Sequence, residues 1–89
     1  MLKPVYTKRF EKDIKKLQKQ NVDLTDMKDI IKKLISEEPL DEKNKDHKLI
    51  GNYVGRRECH IKPDWLLIYK IKDDFIIFER TGSHSELFN

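Results

Sequence analysis

An α+β fold is predicted, with elements in the order βααβββ and a helical hairpin packed on a mainly antiparallel twisted sheet. Three features point there. Apolar residues recur at helical spacing up to residue 35. The period switches to alternation and short apolar runs after residue 55, and brief turn signals separate those runs. At 89 residues the chain reads as one domain, residues 1–89. A chain of this size buries only about 60% of its unfolded surface, so its core is thin.

Residues 2–6 read as a first strand. Thr7 can cap a helix over about residues 8–20, whose apolar positions Phe10, Ile14 and Leu17 share one face. Asn21 breaks it. Asp23 or Thr25 can cap a second helix that ends before Pro39, with Met27, Ile30, Ile31, Leu34 and Ile35 on its buried side. The short join makes the two an antiparallel hairpin. Residues 39–52 read as a polar loop. Beyond it Arg56, Glu58 and His60 alternate with Arg57, Cys59 and Ile61, a strand pattern. Lys62-Pro63-Asp64 turns the chain into an apolar run over residues 65–72. Asp73-Asp74 turns it again into a last strand over residues 75–80, which Thr81-Gly82 ends. Three strands joined this way form an antiparallel meander. Leu66-Leu67-Ile68-Tyr69 and Phe75-Ile76-Ile77-Phe78 are apolar on both faces. One face therefore meets the hairpin, and the other is at least partly covered.

Charged residues make up 39% and hydrophobic residues 37%; the apolar ones are clustered, which indicates a charged globular chain and not a disordered one. The net charge of +3 is uneven: +5 over residues 1–35, −3 over 36–47 and +1 over 48–89. A basic N-terminal half can attract polyanions such as RNA, although a solvated lysine-rich helix face has the same composition. No apolar run approaches the roughly 18 residues of a membrane span, and the first residues lack the apolar stretch of a secretory signal. The single cysteine, Cys59, rules out an internal disulfide. The expected location is the cytoplasm.

The candidate chemistry centres on His47 in the polar loop, His60 near a strand end and His84 in the tail. Asp64 and Trp65 follow His60 by one turn, and Arg80 ends the last strand. If the meander closes, these converge into imidazoles, a carboxylate, a guanidinium and an aromatic plate. Such a set suits RNA cleavage: a base for the 2′-hydroxyl, an acid for the leaving 5′-oxygen, a cation for the phosphorane. Trp65 or Phe88 could stack a splayed base, and Trp65 could equally begin a buried strand. A lone histidine is also commonly a surface or capping residue. Cys59, His60, Asp64, His47 and His84 include metal-ligand types, but no CxxC, HxxxH or HExxH spacing occurs, and Cys59 and His60 point to opposite strand faces. Neither a metal nor a small-molecule cofactor is expected.

Three spaced motifs carry a resemblance. They are His47-Lys48-Leu49-Ile50-Gly51, Arg57-Glu58-Cys59-His60-Ile61-Lys62-Pro63-Asp64-Trp65 and Arg80-Thr81-Gly82-Ser83-His84-Ser85-Glu86-Leu87-Phe88. Together they resemble the YafQ branch of the RelE/ParE toxin superfamily. The resemblance implies a toxin of a type II toxin–antitoxin pair, a ribosome-dependent endoribonuclease that cuts mRNA, and a cognate antitoxin as partner. By position it implies catalytic roles for His47, His60, Asp64, Arg80 and His84. Trp65 and Phe88 match positions that shape the site or hold substrate, and Arg56 and Arg57 are expected to join them in substrate binding. A non-catalytic gyrase-binding toxin of the ParE kind and a plain RNA-binding domain are the alternatives.

Overall fold

The computed structural model describes residues 1–88. Along the chain run β1 (Lys3–Tyr6), α1 (Lys8–Lys19), α2 (Thr25–Ile35), β2 (His47–Lys48), β3 (Arg57–Lys62), β4 (Trp65–Lys72), β5 (Phe75–Gly82) and α3 (His84–Phe88). Two 3-10 turns, Glu42–Asn44 and Gly51–Tyr53, flank β2. The strands form one sheet in the order β1-β5-β4-β3-β2. β1 runs parallel to β5, and every other pairing is antiparallel.

Each helix start has a chemical reason. Thr7 Oγ1 accepts the Phe10 N–H at 3.0 Å, which satisfies one of the orphan donors at the start of α1. Asp23 Oδ1 accepts both the N–H and the hydroxyl of Thr25, at 2.9 and 2.7 Å, where α2 begins. Asn21 takes a positive φ of 57° between the helices, a conformation asparagine tolerates better than most residues.

The hairpin covers one face of the sheet. Phe10, Met27, Ile30 and Leu34 pack on Cys59, Ile61, Trp65, Leu67, Tyr69, Ile76 and Phe78. The opposite face carries a smaller cluster, in which Leu87 of α3 covers Leu66 and Ile68, with Leu49 and Tyr53 against it. Leu66 and Leu67, adjacent in β4, are both fully buried, one on each face. That accounts for the unbroken apolar run: each leucine contributes about 2 kcal/mol by leaving water.

Two elements differ from the sequence expectation. Residues 39–52 are not all loop, because His47 and Lys48 pair with Glu58 and Arg57 as β2. The tail is not irregular, because α3 folds back over the sheet face away from the hairpin. A two-residue strand and a five-residue helix are shorter than any periodicity window. The pairing of β4 with β5 also shifts: Tyr69 opposes Phe78 while Ile68 opposes Arg80, so Glu79 is an extra residue in β5. Such a bulge re-aims the side chains beyond it. Arg80 thereby shares the face of Ile68.

Candidate functional site

The sheet face opposite the hairpin gathers the histidines. His47 sits opposite Glu58 across β2 and β3, and His60 lies two residues further along β3, so all three side chains share that face. His84 opens α3. Ring centroids lie 6.4 Å apart for His47 and His60, and 5.7 Å apart for His60 and His84.

Glu58 joins two of the rings. Its Oε1 lies 3.5 Å from His47 Nε2 and 3.3 Å from His60 Nε2, and the residue is buried. The other ring nitrogens face carbonyl oxygens: His47 Nδ1 is 2.6 Å from the Lys45 carbonyl, and His60 Nδ1 is 3.3 Å from that of Pro63. A carbonyl only accepts, so in both neutral rings Nδ1 donates and Nε2 carries the lone pair. Two Nε2 atoms and one carboxylate oxygen then meet, all acceptors. A proton or a cation held among them satisfies the group.

Asp64 anchors the third ring. Its Oδ1 accepts the His84 backbone N–H at 3.0 Å and lies 2.8 Å from His84 Nδ1. These two bonds, the backbone one foremost, lower the Asp64 pKa from its ordinary value. An ionised Asp64 makes Nδ1 the donor and leaves Nε2 of the neutral ring free. The same division occurs wherever a carboxylate orients a catalytic histidine. Phe88 lies beside His84, with ring centroids 6.3 Å apart, meets Tyr53 edge-on, and is 44% exposed.

Trp65, Arg56 and Arg57 make their contacts outside this group. Trp65 is buried on the hairpin side, its Nε1 donating to Thr81 Oγ1 at 2.9 Å. Arg56 pairs with Glu79 at 2.6 Å. Arg57 pairs with Asp46 at 3.3 Å, where Asp46 also accepts the Tyr69 hydroxyl at 2.6 Å. Burial, with Asp46 beside it, pushes the Tyr69 phenol above its usual range, so it stays a donor. Arg80 reaches the site's face but its guanidinium is bound by Asp13 of α1. A cleft of about 480 Å³ between α2, the turn at Glu42–Asn44 and the end of β3 shares His60 and Lys45 with this region.

A family model described as "Bacterial toxin of type II toxin-antitoxin system, YafQ" matches residues 2–89. The chain belongs to the YafQ toxin family. It is 43% identical over 84 residues to the mRNA interferase toxin YafQ of Escherichia coli K12, which covers 93% of this chain and 91% of that one. Among solved structures, a copper-bound mutant toxin from Helicobacter pylori superposes with a TM-score of 0.94 at 48% identity, covering 99% of this chain and all of that one. The toxin in the E. coli DinJ–YafQ toxin–antitoxin complex gives a TM-score of 0.91 at 40% identity, covering 99% of this chain and 98% of that one.

The copper-bound relative corrects one expectation. The absence of ligand spacing in the sequence predicted no metal and no small-molecule cofactor, and the copper bound to this relative contradicts that expectation. Spacing along the chain was the wrong test, because Glu58 and His60 share one face of β3 and the fold of α3 brings His84 beside them. Glu58, His60 and His84 each offer an atom within 4.8 Å of the others. Glu58 is also the site residue that sequence reasoning missed. Its signal was present: alternation puts Glu58 on the face of His60, an acidic residue on a strand that proves buried.

Proposed function

We propose that this YafQ-family chain is the toxin of a type II toxin–antitoxin pair, acting as one domain over its length, and that it cuts ribosome-bound mRNA. The observation that carries this reading is the contiguous run Asp64–His84–His60–Glu58–His47 on the side of the sheet away from the hairpin. An RNA-binding module needs cations and stacking surfaces; it does not need linked proton-transfer groups.

In the reaction the 2′-hydroxyl gives its proton to a base as its oxygen bonds to the adjacent phosphorus. The bond from phosphorus to the 5′-oxygen breaks, and that oxygen takes a proton from an acid. The products are a 2′,3′-cyclic phosphate and a 5′-hydroxyl. His84 Nε2, oriented by Asp64, serves one proton role, and the His60–Glu58–His47 group, whose acceptors face one another, serves the other. Arg80 stabilises the charge on the phosphorane oxygens. Phe88, exposed beside His84, stacks a base next to the cut. The E. coli relative's complex with DinJ supports a cognate antitoxin as this chain's protein partner.

The copper-bound relative supports a metal-binding capacity, and the carboxylate and imidazoles gathered here are the ligand types for it. A carboxylate and two imidazoles suit copper or zinc, so Glu58, His60 and His84 would hold the ion. When bound, it supplies a Lewis-acidic positive charge.

The test uses purified chain, ribosomes and a defined mRNA. The unmodified chain is expected to cut, and His84→Ala to cut about 100-fold more slowly or worse, in line with loss of one proton-transfer group. Its circular dichroism should match the parent. Undiminished cleavage by the variant, or no cleavage of ribosome-bound mRNA by the parent, would overturn the reading.

A further inference from the structure

Helix α1 lies outside the histidine cluster, yet two of its side chains end on residues that carry the site. Asp13 and Lys16 are one helical turn apart. We propose that both are positioning residues: Asp13 aims Arg80, and Lys16, through Glu86, fixes the short helix that presents His84 and Phe88. The proposal rests on the mRNA-cleaving reading above.

The first contact follows from a strand that stops early. β1 ends at Tyr6, opposite Phe78, so the edge of β5 beyond Phe78 has no strand beside it. α1 and its cap supply the missing partners. Thr7 Oγ1 donates to the Glu79 carbonyl at 3.0 Å, and the Thr81 N–H donates to Asp13 Oδ2 at 3.1 Å. The same carboxylate takes Arg80 Nε at 2.8 Å and Nη2 at 3.2 Å. Arginine is long and rotamer-rich, and two bonds from one edge of its planar fork fix that plane. The donors of Nη1 have no hydrogen-bond partner among the described residues and remain for a phosphate. Both side chains are largely buried, 17% and 15% exposed, so solvent screens the pair little. The bonds from Asp13 raise the Arg80 pKa further.

The second contact acts on α3. Five residues cannot sustain a helix without outside support. Part of the support is a reciprocal capping box: Ser83 Oγ accepts the Glu86 N–H at 3.3 Å, and Glu86 Oε1 accepts the Ser83 N–H at 2.9 Å. Leu87 is buried against the sheet, and Tyr53 donates to its carbonyl at 3.2 Å. Glu86 Oε2 is left over, and Lys16 Nζ pairs with it. Lys16 thereby ties the capping residue of α3 to α1. The Glu86 carboxyl accordingly sits low, at about 2. Among the described residues no hydrogen bond or ion pair joins Asp13 or Lys16 to a histidine, so each acts through the residue it holds.

Three single variants of the full chain separate positioning from folding. Asp13→Asn keeps shape and loses charge. Glu86→Gln keeps a capping-box acceptor and loses the ion pair, and Lys16→Met removes the cation from the other side. In single-turnover cleavage of ribosome-bound mRNA, each is expected to lower the maximal rate about 10-fold, consistent with small misplacements of reacting groups. The concentration for half-maximal rate should change far less. Asp13→Glu should recover part of the loss. The Lys16→Met/Glu86→Gln pair should cost no more than either single, because both remove one contact. A second readout is independent of activity. In NMR spectra of the free protein, the Arg80 Nε–H signal should shift in Asp13→Asn and the His84 ring signals in Glu86→Gln. Unmoved signals, unchanged rates, or losses that follow melting temperature alone would overturn the proposal. If the parent fails to cut, the reading of the site fails, and the NMR result still decides the positioning.

Discussion

Replacing Trp65 with phenylalanine separates two roles for the same ring. Its indole is 8% exposed on the hairpin side of the sheet, and its Nε1 donates to Thr81 Oγ1 at 2.9 Å. Thr81 in turn donates its hydroxyl to the Leu66 carbonyl at 2.7 Å, so that bond survives the change. The variant loses one buried hydrogen bond, a net cost of about 1 kcal/mol. The smaller ring gives up roughly the burial of one or two methylene groups and leaves a small void, about another 1 kcal/mol. A domain of this size loses about 4–8 °C of melting temperature per kcal/mol, so the drop is about 10 °C. In urea the midpoint should fall with an unchanged slope, since the surface exposed on unfolding hardly differs. Cleavage of ribosome-bound mRNA, measured well below the new melting temperature, should stay near the parent rate. An unchanged melt combined with lost cleavage would refute the reasoning and make Trp65 a residue that touches RNA.

Two further outcomes follow from the same contacts. The Glu86 carboxyl is lowered from an ordinary 4.5 to about 2, chiefly by Lys16. A lowered acid stabilises the fold above its unfolded value and loses that contribution as pH falls through the folded one. The Ser83 amide proton, which binds Glu86, should therefore titrate in NMR near pH 2, and a midpoint near 4.5 would mean that the Lys16 contact does not form in solution. For the metal site, Glu58→Gln should weaken copper or zinc binding about 10-fold or more in calorimetry, as expected for loss of an anionic ligand. Equal affinity in parent and variant would place the ion elsewhere.

The sequence carried more of the fold than of the site. The helices were legible because Phe10, Ile14, Leu17 and then Met27, Ile30, Leu34 repeat at a spacing that only a helix turns to one side. The meander was legible because short turns between apolar runs leave antiparallel pairing as the simple connection. Three histidines and Asp64 were legible as candidates by side-chain chemistry. Glu58 was passed over although alternation put it on the face of His60, since an acidic residue in a strand usually faces water and its burial is decided by the fold. The capping box Ser83-His84-Ser85-Glu86 was also written in the chain, and it predicts a helix start where a polar tail was expected.

Local pattern by itself determined the helices, the three meander strands and the types of group available for chemistry, because periodicity and side-chain chemistry are properties of neighbouring residues. Only the tertiary structure decided which of those groups meet. β2 is two residues long and exists because β3 offers it an edge; that pairing brings His47 to Glu58. The bulge at Glu79 turns Arg80 to the face of Ile68, and the early end of β1 leaves Asp13 to hold it. α3 brings His84 to Asp64 across 20 residues of chain. These contacts join residues distant in sequence through backbone register and packing, and neither leaves a periodic trace in the residues themselves.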